Sequence, residues 1–163
     1  MIDFRPFTFN DAHTVLGWIR DEESFWLWCS DRFNNYPLSS DDFCSIYNDK
    51  SMQGFIAQDN GMPIGHLFMQ NLGQNKYKFG LIVIDSTKRG CGYGRKMLES
   101  AIDYAKNKLN AKCITLCVFD ENVSAFELYK KLGFEKNGKY TEPYILGEHK
   151  KYFEMEYTIK EWV

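Results

Sequence analysis

The chain has 163 residues, a hydrophobic content of 44% and a formal net charge of −2, which together fit one compact globular domain. This small net charge gives no reason to expect a nucleic-acid or membrane-surface partner. No apolar run approaches the roughly 18–20 residues of a membrane span. The first residues also lack the apolar core of a signal peptide.

The five cysteines are an odd number and lie mostly within apolar runs. This usage indicates buried thiols in a reducing compartment, so we expect a cytoplasmic protein. Cys113 and Cys117 share one face of a strand and are interpreted as core thiols. The histidines, His13, His66 and His149, are isolated. Because no spacing resembles a zinc site, no metal is expected.

The first part of the chain predicts a strand, three short helices and a hairpin. Alternation from Ile2 to Thr8 indicates the strand, and Asn10 or Asp11 caps the first helix. The later elements of this part are helices over about 21–28 and 39–47, and strands over 54–58 and 64–71 joined by Asp59-Asn60-Gly61.

The second part alternates strands with longer helices, so the chain is predicted to be one mixed α/β domain. A strand over 77–85 ends in a continuous apolar run, which is typical of a buried central strand. Gly133 is placed as the C-cap of the second long helix. The other predicted elements are helices over 94–109 and 122–132 and strands over 113–120, from 134 and over 151–159.

A glycine-rich turn leaves the central strand and feeds the first long helix, and its residues 88–96 read Lys-Arg-Gly-Cys-Gly-Tyr-Gly-Arg-Lys. A helix N-terminus carries partial positive charge and normally attracts acids. The four cations of this turn are therefore better explained by an anion bound to the exposed N–H groups, which glycine allows to approach closely. The pattern predicts a phosphate-like ligand here.

Three other motifs could account for a glycine turn of this kind. A P-loop needs Gly-Lys-Ser/Thr, whereas Arg95-Lys96-Met97 follows Gly94 here, so the metal-holding hydroxyl is missing. A dinucleotide-binding motif would open the domain on its first strand, whereas this turn lies in mid-chain. The remaining alternative is a plain glycine turn whose cations are solvated.

Two segments carry motifs at a characteristic distance from each other. Residues 89–94 match the pattern Arg/Gln-x-x-Gly-x-Gly/Ala, and residues 122–134 match Asn-x-x-Ala-x-x-x-Tyr-x-x-x-Gly-Phe. Both resemble motifs of the GNAT superfamily of acetyl-CoA-dependent N-acetyltransferases. Each match lies in the expected strand–turn–helix context. The order of predicted elements is also similar across nearly the whole chain, although the part before about residue 50 matches only in outline.

The resemblance implies an α/β (α+β) fold over residues 1–163. Its mixed central sheet would have about six to seven strands, be splayed between two central parallel strands and be flanked by helices. Acetyl-CoA would be the co-substrate, and Tyr129 would protonate the departing thiolate. The implied cofactor-binding residues are Ile82, Val83, Ile84, Arg89, Gly90, Cys91, Gly92, Tyr93, Gly94, Arg95 and Asn122.

The general base is not evident from the resemblance. Some members of that family place a glutamate at the position of Cys117, and others place one early in the central strand, where residues 76–78 read Lys-Tyr-Lys. Neither acid is present in this chain. The candidates that remain are Asp85, Asp120, Glu121, His66, Glu23 and ordered water.

The expected function is direct transfer of an acetyl group to a primary amine of a small molecule or a peptide. In this fold the acceptor pocket is usually shaped by the segments that correspond to 21–28 and roughly 140–149. A non-catalytic acyl-CoA-binding or sensing module and an interaction domain without cofactor are the alternatives. Many members of the family are dimers, so a homodimer is an assembly to test.

Overall fold

The computed structural model describes residues 2–160, and its main sheet has seven strands. The strands are β1 Ile2–Pro6, β2 Met52–Asp59, β3 Met62–Gly73, β4 Lys76–Ile84, β5 Cys113–Phe119, β6 Glu135–Thr141, β7 Tyr144–Ile145, β8 Glu148–His149 and β9 Tyr152–Thr158. The α-helices are α1 Ala12–Gly17, α2 Glu22–Cys29, α3 Ser40–Ser45, α4 Tyr93–Lys108 and α5 Val123–Leu132. No helix within residues 2–160 is long and apolar enough to cross a membrane.

The strands of the main sheet lie in the order β1-β2-β3-β4-β5-β9-β6, and β7 with β8 forms a separate hairpin. Strands β4 and β5 are parallel, whereas the other neighbouring pairs are antiparallel. Helix α4 makes the crossover that a parallel pair requires. The predicted mixed sheet of six to seven strands with two central parallel strands is confirmed.

Strands β4 and β5 stay together for a short distance only. Their pairs are Lys76↔Cys113, Tyr77↔Ile114 and Lys78↔Thr115. Beyond them β4 continues to Ile84 and β5 to Phe119, but these two segments do not pair with each other. On the other side of β4 the register with β3 shifts between His66 and Phe68, and Leu81 there has a φ of 47°. Such a bulge bends a strand and increases its twist, which accounts for the parting of β4 from β5.

Hydrophobic cores on both faces of the sheet fix the helices. Phe55 and Ala57 of β2 belong to the core under α4 and α5, while Ile56 between them packs with Val15 of α1 and Phe43 of α3. This division follows from the alternation of side chains along a strand. The buried residues of α4 recur at helical spacing and are Met97, Leu98, Ala101, Ile102 and Ala105.

The structure departs from the predicted elements near the first helix. A 3₁₀ turn over Phe9–Asp11 precedes α1, which ends at Gly17. The Asp11 carboxylate does not cap α1, because it accepts two 2.8 Å bonds from Arg5 and one of 2.8 Å from the N–H of Thr8. The β7–β8 hairpin was also not predicted, because strands of two residues are too short to show alternation.

Candidate active site

A cleft of about 1190 Å³ opens where β4 and β5 part. Its walls come from α2, the outer half of β4, the turn before α4, the end of β5 and the start of α5. Every implied site residue except Cys91 lines this cleft. Cys91 is exposed at the tip of the turn. The structure therefore brings together the residues that the resemblance had singled out, which are spread along the chain from Ile82 to Tyr129.

The turn leading into α4 holds its shape through two glycines with left-handed backbone. Gly90 has a φ of 78° and Gly92 one of 81°, and an added Cβ at either position would meet nothing within 4 Å. Glycine is thus required for its conformation rather than for space. Gly92 is the N-cap of α4, no side chain caps this end, and the first turn contains no acid. The N–H groups of the turn are left for an anion.

The four cations of the turn divide into two groups. Lys88 and Arg89 line the cleft and form no ion pair within residues 2–160. Arg95 also lines the cleft, but its Nε donates to Glu99 at 2.9 Å. The Nζ of Lys96 lies 5.6 Å from the ring centre of Tyr93. The charges offered directly to a bound anion are therefore mainly those of Lys88 and Arg89.

Tyr93 fixes the start of α4 to the neighbouring hairpin. Its hydroxyl donates to the Asp59 carboxylate over 2.7 Å, at the end of β2. Hydrogen bonding to Tyr93 is the main cause that lowers the pKa of Asp59. The side chain of Tyr93 is therefore engaged away from the turn, and its backbone N–H is the group that faces an anion there.

The outer half of β4 offers an unpaired backbone edge to the cleft. Ile82, Val83 and Ile84 line the cleft, and no residue of β5 pairs with them. On its opposite edge this segment pairs with Gly65 and His66 of β3. Backbone N–H and C=O groups that lack a strand partner need another one, and an extended ligand with amide groups can supply it.

Tyr129 projects from α5 into the cleft and is 7% exposed. Burial, and to a smaller extent the Cys117 thiol, raises the pKa of its hydroxyl to about 12. No hydrogen bond to another residue contributes to this shift. The phenol thus keeps its proton at neutral pH and is free to donate it to a ligand.

Asn122 is both a cleft residue and the N-cap of α5. Its Oδ1 accepts from the N–H of Ala125 at 3.2 Å and from the hydroxyl of Ser124 at 3.4 Å. This explains locally why α5 begins at Val123. The Nδ2 of the same amide is not used by the cap and remains a donor toward the cleft.

The candidates for the general base lie in different surroundings. Asp85 caps a 3₁₀ turn by accepting from the N–H of Thr87 at 2.9 Å, and it does not line the cleft. Asp120 lies in a second hollow of about 250 Å³. Glu121 reaches both hollows, and its carboxylate is 2.9 Å from the Nζ of Lys150.

His66 and Glu23, the two other possible bases, differ in their access to the cleft. His66 is 0% exposed, its ring nitrogens are both hydrogen-bonded, and it does not line the cleft. Burial is the main cause that lowers its pKa to about 4. Glu23 lines the cleft from α2 and forms no ion pair within residues 2–160. Among the five side chains, the geometry favours Glu23.

Burial holds Cys29, Cys44, Cys113 and Cys117 in the thiol form. Burial raises the pKa of Cys29 to about 12 and that of Cys113 to about 11, and it also raises the pKa of Cys44 and Cys117. A thiolate is the nucleophilic form of cysteine. Cys29 and Cys117, which both line the cleft, are therefore poorly suited to carry an acetyl group.

The two segments expected to shape an acceptor pocket differ in position. From 21–28 the cleft includes Glu23, Ser24, Leu27 and Trp28, and the buried Nε1 of Trp28 has no hydrogen-bond partner within the part of the chain that the structure describes. No residue of 140–149 lines the cleft. That segment forms the β7–β8 hairpin instead.

Two cations of the cleft, Arg32 and Lys78, are not among the residues predicted for the site. In the sequence, Lys78 is notable only because some family members have a glutamate in this part of the central strand. Alternation along β4 could have placed it on the face opposite Tyr77 and Phe79. Arg32 follows α2 in an irregular segment, so no local pattern places it near β4.

The family model described as the acetyltransferase (GNAT) family matches residues 12–134 of the chain. The chain belongs to this family. The match includes α1 to α5 and β2 to β5, so it covers both strands that form the cleft. The resemblance inferred from the glycine turn and the segment beginning at Asn122 is confirmed.

Curated relatives carry related descriptions. An uncharacterized N-acetyltransferase of Methanocaldococcus jannaschii is 34% identical over 88 residues, which are 50% of this chain and 38% of the relative. A Bacillus subtilis spermine/spermidine N(1)-acetyltransferase is 38% identical over 56 residues, 34% of this chain and 37% of the relative. The matched regions thus span less than half the length of these two proteins. The spermidine N(1)-acetyltransferase of Escherichia coli is 25% identical over 147 residues, which cover 89% of this chain and 78% of the relative.

Solved structures share the fold over nearly the full chain. The spermidine N-acetyltransferase of Vibrio cholerae, in complex with CoA and spermine, superposes with a TM-score of 0.81 at 24% identity, covering 96% of this chain and 95% of the other. Another structure of the V. cholerae protein is described as dodecameric and has a TM-score of 0.74 at 24% identity, covering 96% and 93%. These likenesses establish the GNAT-like fold.

Proposed function

We propose that this chain is an acetyl-CoA-dependent N-acetyltransferase that transfers the acetyl group directly to a primary amine. The observation that carries the proposal is the cleft between β4 and β5. It joins an uncapped glycine turn, an unpaired strand edge and a protonated phenol in one continuous space. Family membership supports the same conclusion.

Acetyl-CoA fits this cleft by its chemistry. The pyrophosphate would be bound by the N–H groups of residues 89–95, aided by the charge of Arg89. The pantetheine arm carries amide groups, which would pair with the free edge of Ile82, Val83 and Ile84 as an added strand would. The Nδ2 of Asn122 would donate to the same arm.

The reaction requires one bond to form and one to break. The amine nitrogen attacks the thioester carbonyl carbon, the carbon–sulfur bond breaks, the nitrogen loses a proton and the sulfur gains one. Tyr129, whose pKa is raised to about 12 by burial, would supply the proton to sulfur. Glu23 or water would accept the proton of the amine. Positioning of the two reactants in one cleft would contribute most of the rate enhancement.

The direct route needs no covalent enzyme intermediate. The Cys117 thiol is the cleft cysteine beside Tyr129, and burial raises its pKa. A thiol relay would need the thiolate at neutral pH. The proposed order is therefore a ternary complex of protein, acetyl-CoA and amine, followed by a single transfer.

The first experiment is calorimetry with acetyl-CoA, followed by an assay of coenzyme A release with a panel of primary amines. The panel includes spermidine, because several relatives are described as acetylating it. Binding in the micromolar range with amine-dependent release is expected. The alternative, a non-catalytic acyl-CoA-binding module, predicts binding without release, and absence of binding would overturn both.

A further inference from the structure

Arg32 and Lys78 are the cations of the cleft that the proposed cofactor site does not use. Both line the cleft, and neither forms an ion pair within residues 2–160. Nearby basic side chains behave differently, since the Nζ of Lys76 lies 3.5 Å from Glu156. Cations that face a cleft without an acid partner are a site for an anionic group.

The position of Lys78 separates it from the glycine turn. It is the last residue of β4 that pairs with β5, and Ile84 lies six residues further along the strand. At about 3.3 Å per residue this distance is roughly 20 Å. The pyrophosphate would lie beyond Ile84 and the pantetheine arm along Ile82–Ile84, so Lys78 lies past the thioester end of the cofactor.

Arg32 approaches the same region from the other wall. The charges of Lys78 and Arg32 both act to lower the pKa of the Cys117 thiol, against the larger effect of burial. The ring of Phe68, over which Arg32 lies, belongs to the residue that pairs with Gly80, two residues beyond Lys78 on β4. Cys117 lines the same cleft from β5. Glu154 lies directly across from Cys117 on β9 and has the opposite effect on its pKa.

The guanidinium group of Arg32 is held in a defined place. Its central carbon lies 4.9 Å from the centre of the Phe68 ring, and Phe68 is 0% exposed. A cation over an aromatic face keeps its N–H groups free at the edge of the plane. Those groups match the geometry of a carboxylate or phosphate.

We propose that the acceptor amine also carries an oxyanion, and that Arg32 and Lys78 bind it beyond the thioester. This rests on the proposed acetyltransferase function and names its acceptor class. The cleft is also lined by the acids Glu23, Asp31 and Glu121, so its walls offer charges of both signs. An amino acid or an aminoalkyl phosphate matches this arrangement. A polyamine would place several positive charges against Arg32 and Lys78.

The test compares amines that differ only in the anion. A panel of amino acids is assayed, each paired with its own carboxamide, and O-phosphoethanolamine is paired with ethanolamine. Spermidine is assayed alongside, and acetyl-CoA is saturating throughout. We expect kcat/KM to be at least tenfold higher for the anionic member of one pair. The pair that shows the difference identifies carboxylate or phosphate. Equal rates within every pair, or spermidine as the best acceptor, would overturn the inference and leave the acetyltransferase proposal intact.

Two variants test whether Arg32 and Lys78 cause the preference for the anionic amine. Arg32→Gln and Lys78→Gln should each reduce the preference to about twofold or less while leaving the affinity for acetyl-CoA unchanged. Lys76→Gln is the matched control, because Lys76 lies on the same strand but is paired with Glu156. It should retain the preference. A preference unchanged in both cleft variants would remove Arg32 and Lys78 from this role.

A readout without turnover separates the two proposals. Calorimetry with each matched pair in the presence of coenzyme A should show binding of the anionic member and at least tenfold weaker binding of its neutral partner. If no amine is acetylated but this difference persists, the acetyltransferase proposal fails and the oxyanion site stands. If neither acetylation nor selective binding is seen, both proposals fail.

Discussion

The Nδ1 of His66 lies 3.0 Å from the carbonyl oxygen of Leu81, the residue with positive φ at the bulge of β4. A carbonyl only accepts, so Nδ1 carries the proton and Nε2 is the acceptor for the hydroxyl of Tyr47 at 2.8 Å. The bulge is part of the bend that separates β4 from β5. A buried histidine outside the cleft thus helps to hold the shape of the cleft.

Replacing His66 should destabilise the fold. His66→Leu leaves the Leu81 carbonyl and the Tyr47 hydroxyl buried without their partner, so we expect a loss of about 2–4 kcal/mol in the free energy of unfolding. Tyr47→Phe removes only the bond to Nε2 and should cost about 1 kcal/mol. Urea denaturation of the two variants measures the difference. Equal stability of His66→Leu and wild type would contradict the structural role of this histidine.

The stability of the protein should depend on pH through His66. Its pKa is lowered from 6.5 to about 4, mainly by burial. Between these values the unfolded chain binds a proton that the folded protein does not, so stability is complete above pH 6.5 and falls as pH decreases toward 4. Complete titration of His66 should change the free energy of unfolding by about 3 kcal/mol. Asp11 opposes the shift in the folded protein.

The measurement compares wild type with His66→Gln by urea denaturation from pH 4 to pH 7.5. Carboxylates titrate in both proteins, so the difference between them isolates the histidine. That difference should be largest at neutral pH and should shrink toward pH 4. A difference that stays constant over the range would show that His66 does not titrate as described.

Removal of the Tyr129 hydroxyl should slow turnover more than it weakens cofactor binding. We expect Tyr129→Phe to lower kcat by about 10²-fold or more, as for other proton donors, with the affinity for acetyl-CoA nearly unchanged. Tyr104→Phe is the control, because Tyr104 packs against Phe4 and Phe55 on the other side of α4 and does not line the cleft. Unchanged kcat in Tyr129→Phe would exclude this phenol as the acid.

Alanine at Gly92 should affect both stability and cofactor binding. A φ of 81° costs an alanine about 1–2 kcal/mol, and relief of that strain would move the N–H groups that start α4. Gly61 has the same φ of 81° and equally open surroundings, but it lies in the β2–β3 turn.

The two glycine variants should therefore lose similar stability, whereas only Gly92→Ala should weaken acetyl-CoA binding. Thermal denaturation with and without coenzyme A measures both quantities. A bound ligand at 100 times its dissociation constant should stabilise by about 2.7 kcal/mol, and this increment should shrink in Gly92→Ala alone. An increment that shrinks equally in Gly61→Ala would mean that the turn before α4 is not the phosphate site.

Residues only a few positions apart account for most of the local structure. The Asn60-Gly61 turn, the C-cap at Gly133 and the apolar spacing of α4 each depend on such neighbours, and each formed where predicted. The glycine turn could be assigned to an anion for the same reason. Both the cations of this turn and the glycines that set its conformation lie within residues 88–96.

Which remote segments meet depends on long-range packing. The insertion of β9 between β5 and β6, the bulge at Leu81 and the presence of Arg32 and Lys78 in one cleft all depend on contacts between segments far apart in the chain. Local periodicity contains no information on such pairings, because register and strand order are set by the packing of whole faces. The residues of the proposed donor site could therefore be named from the sequence, whereas the cations proposed to bind the acceptor come together only in the folded sheet.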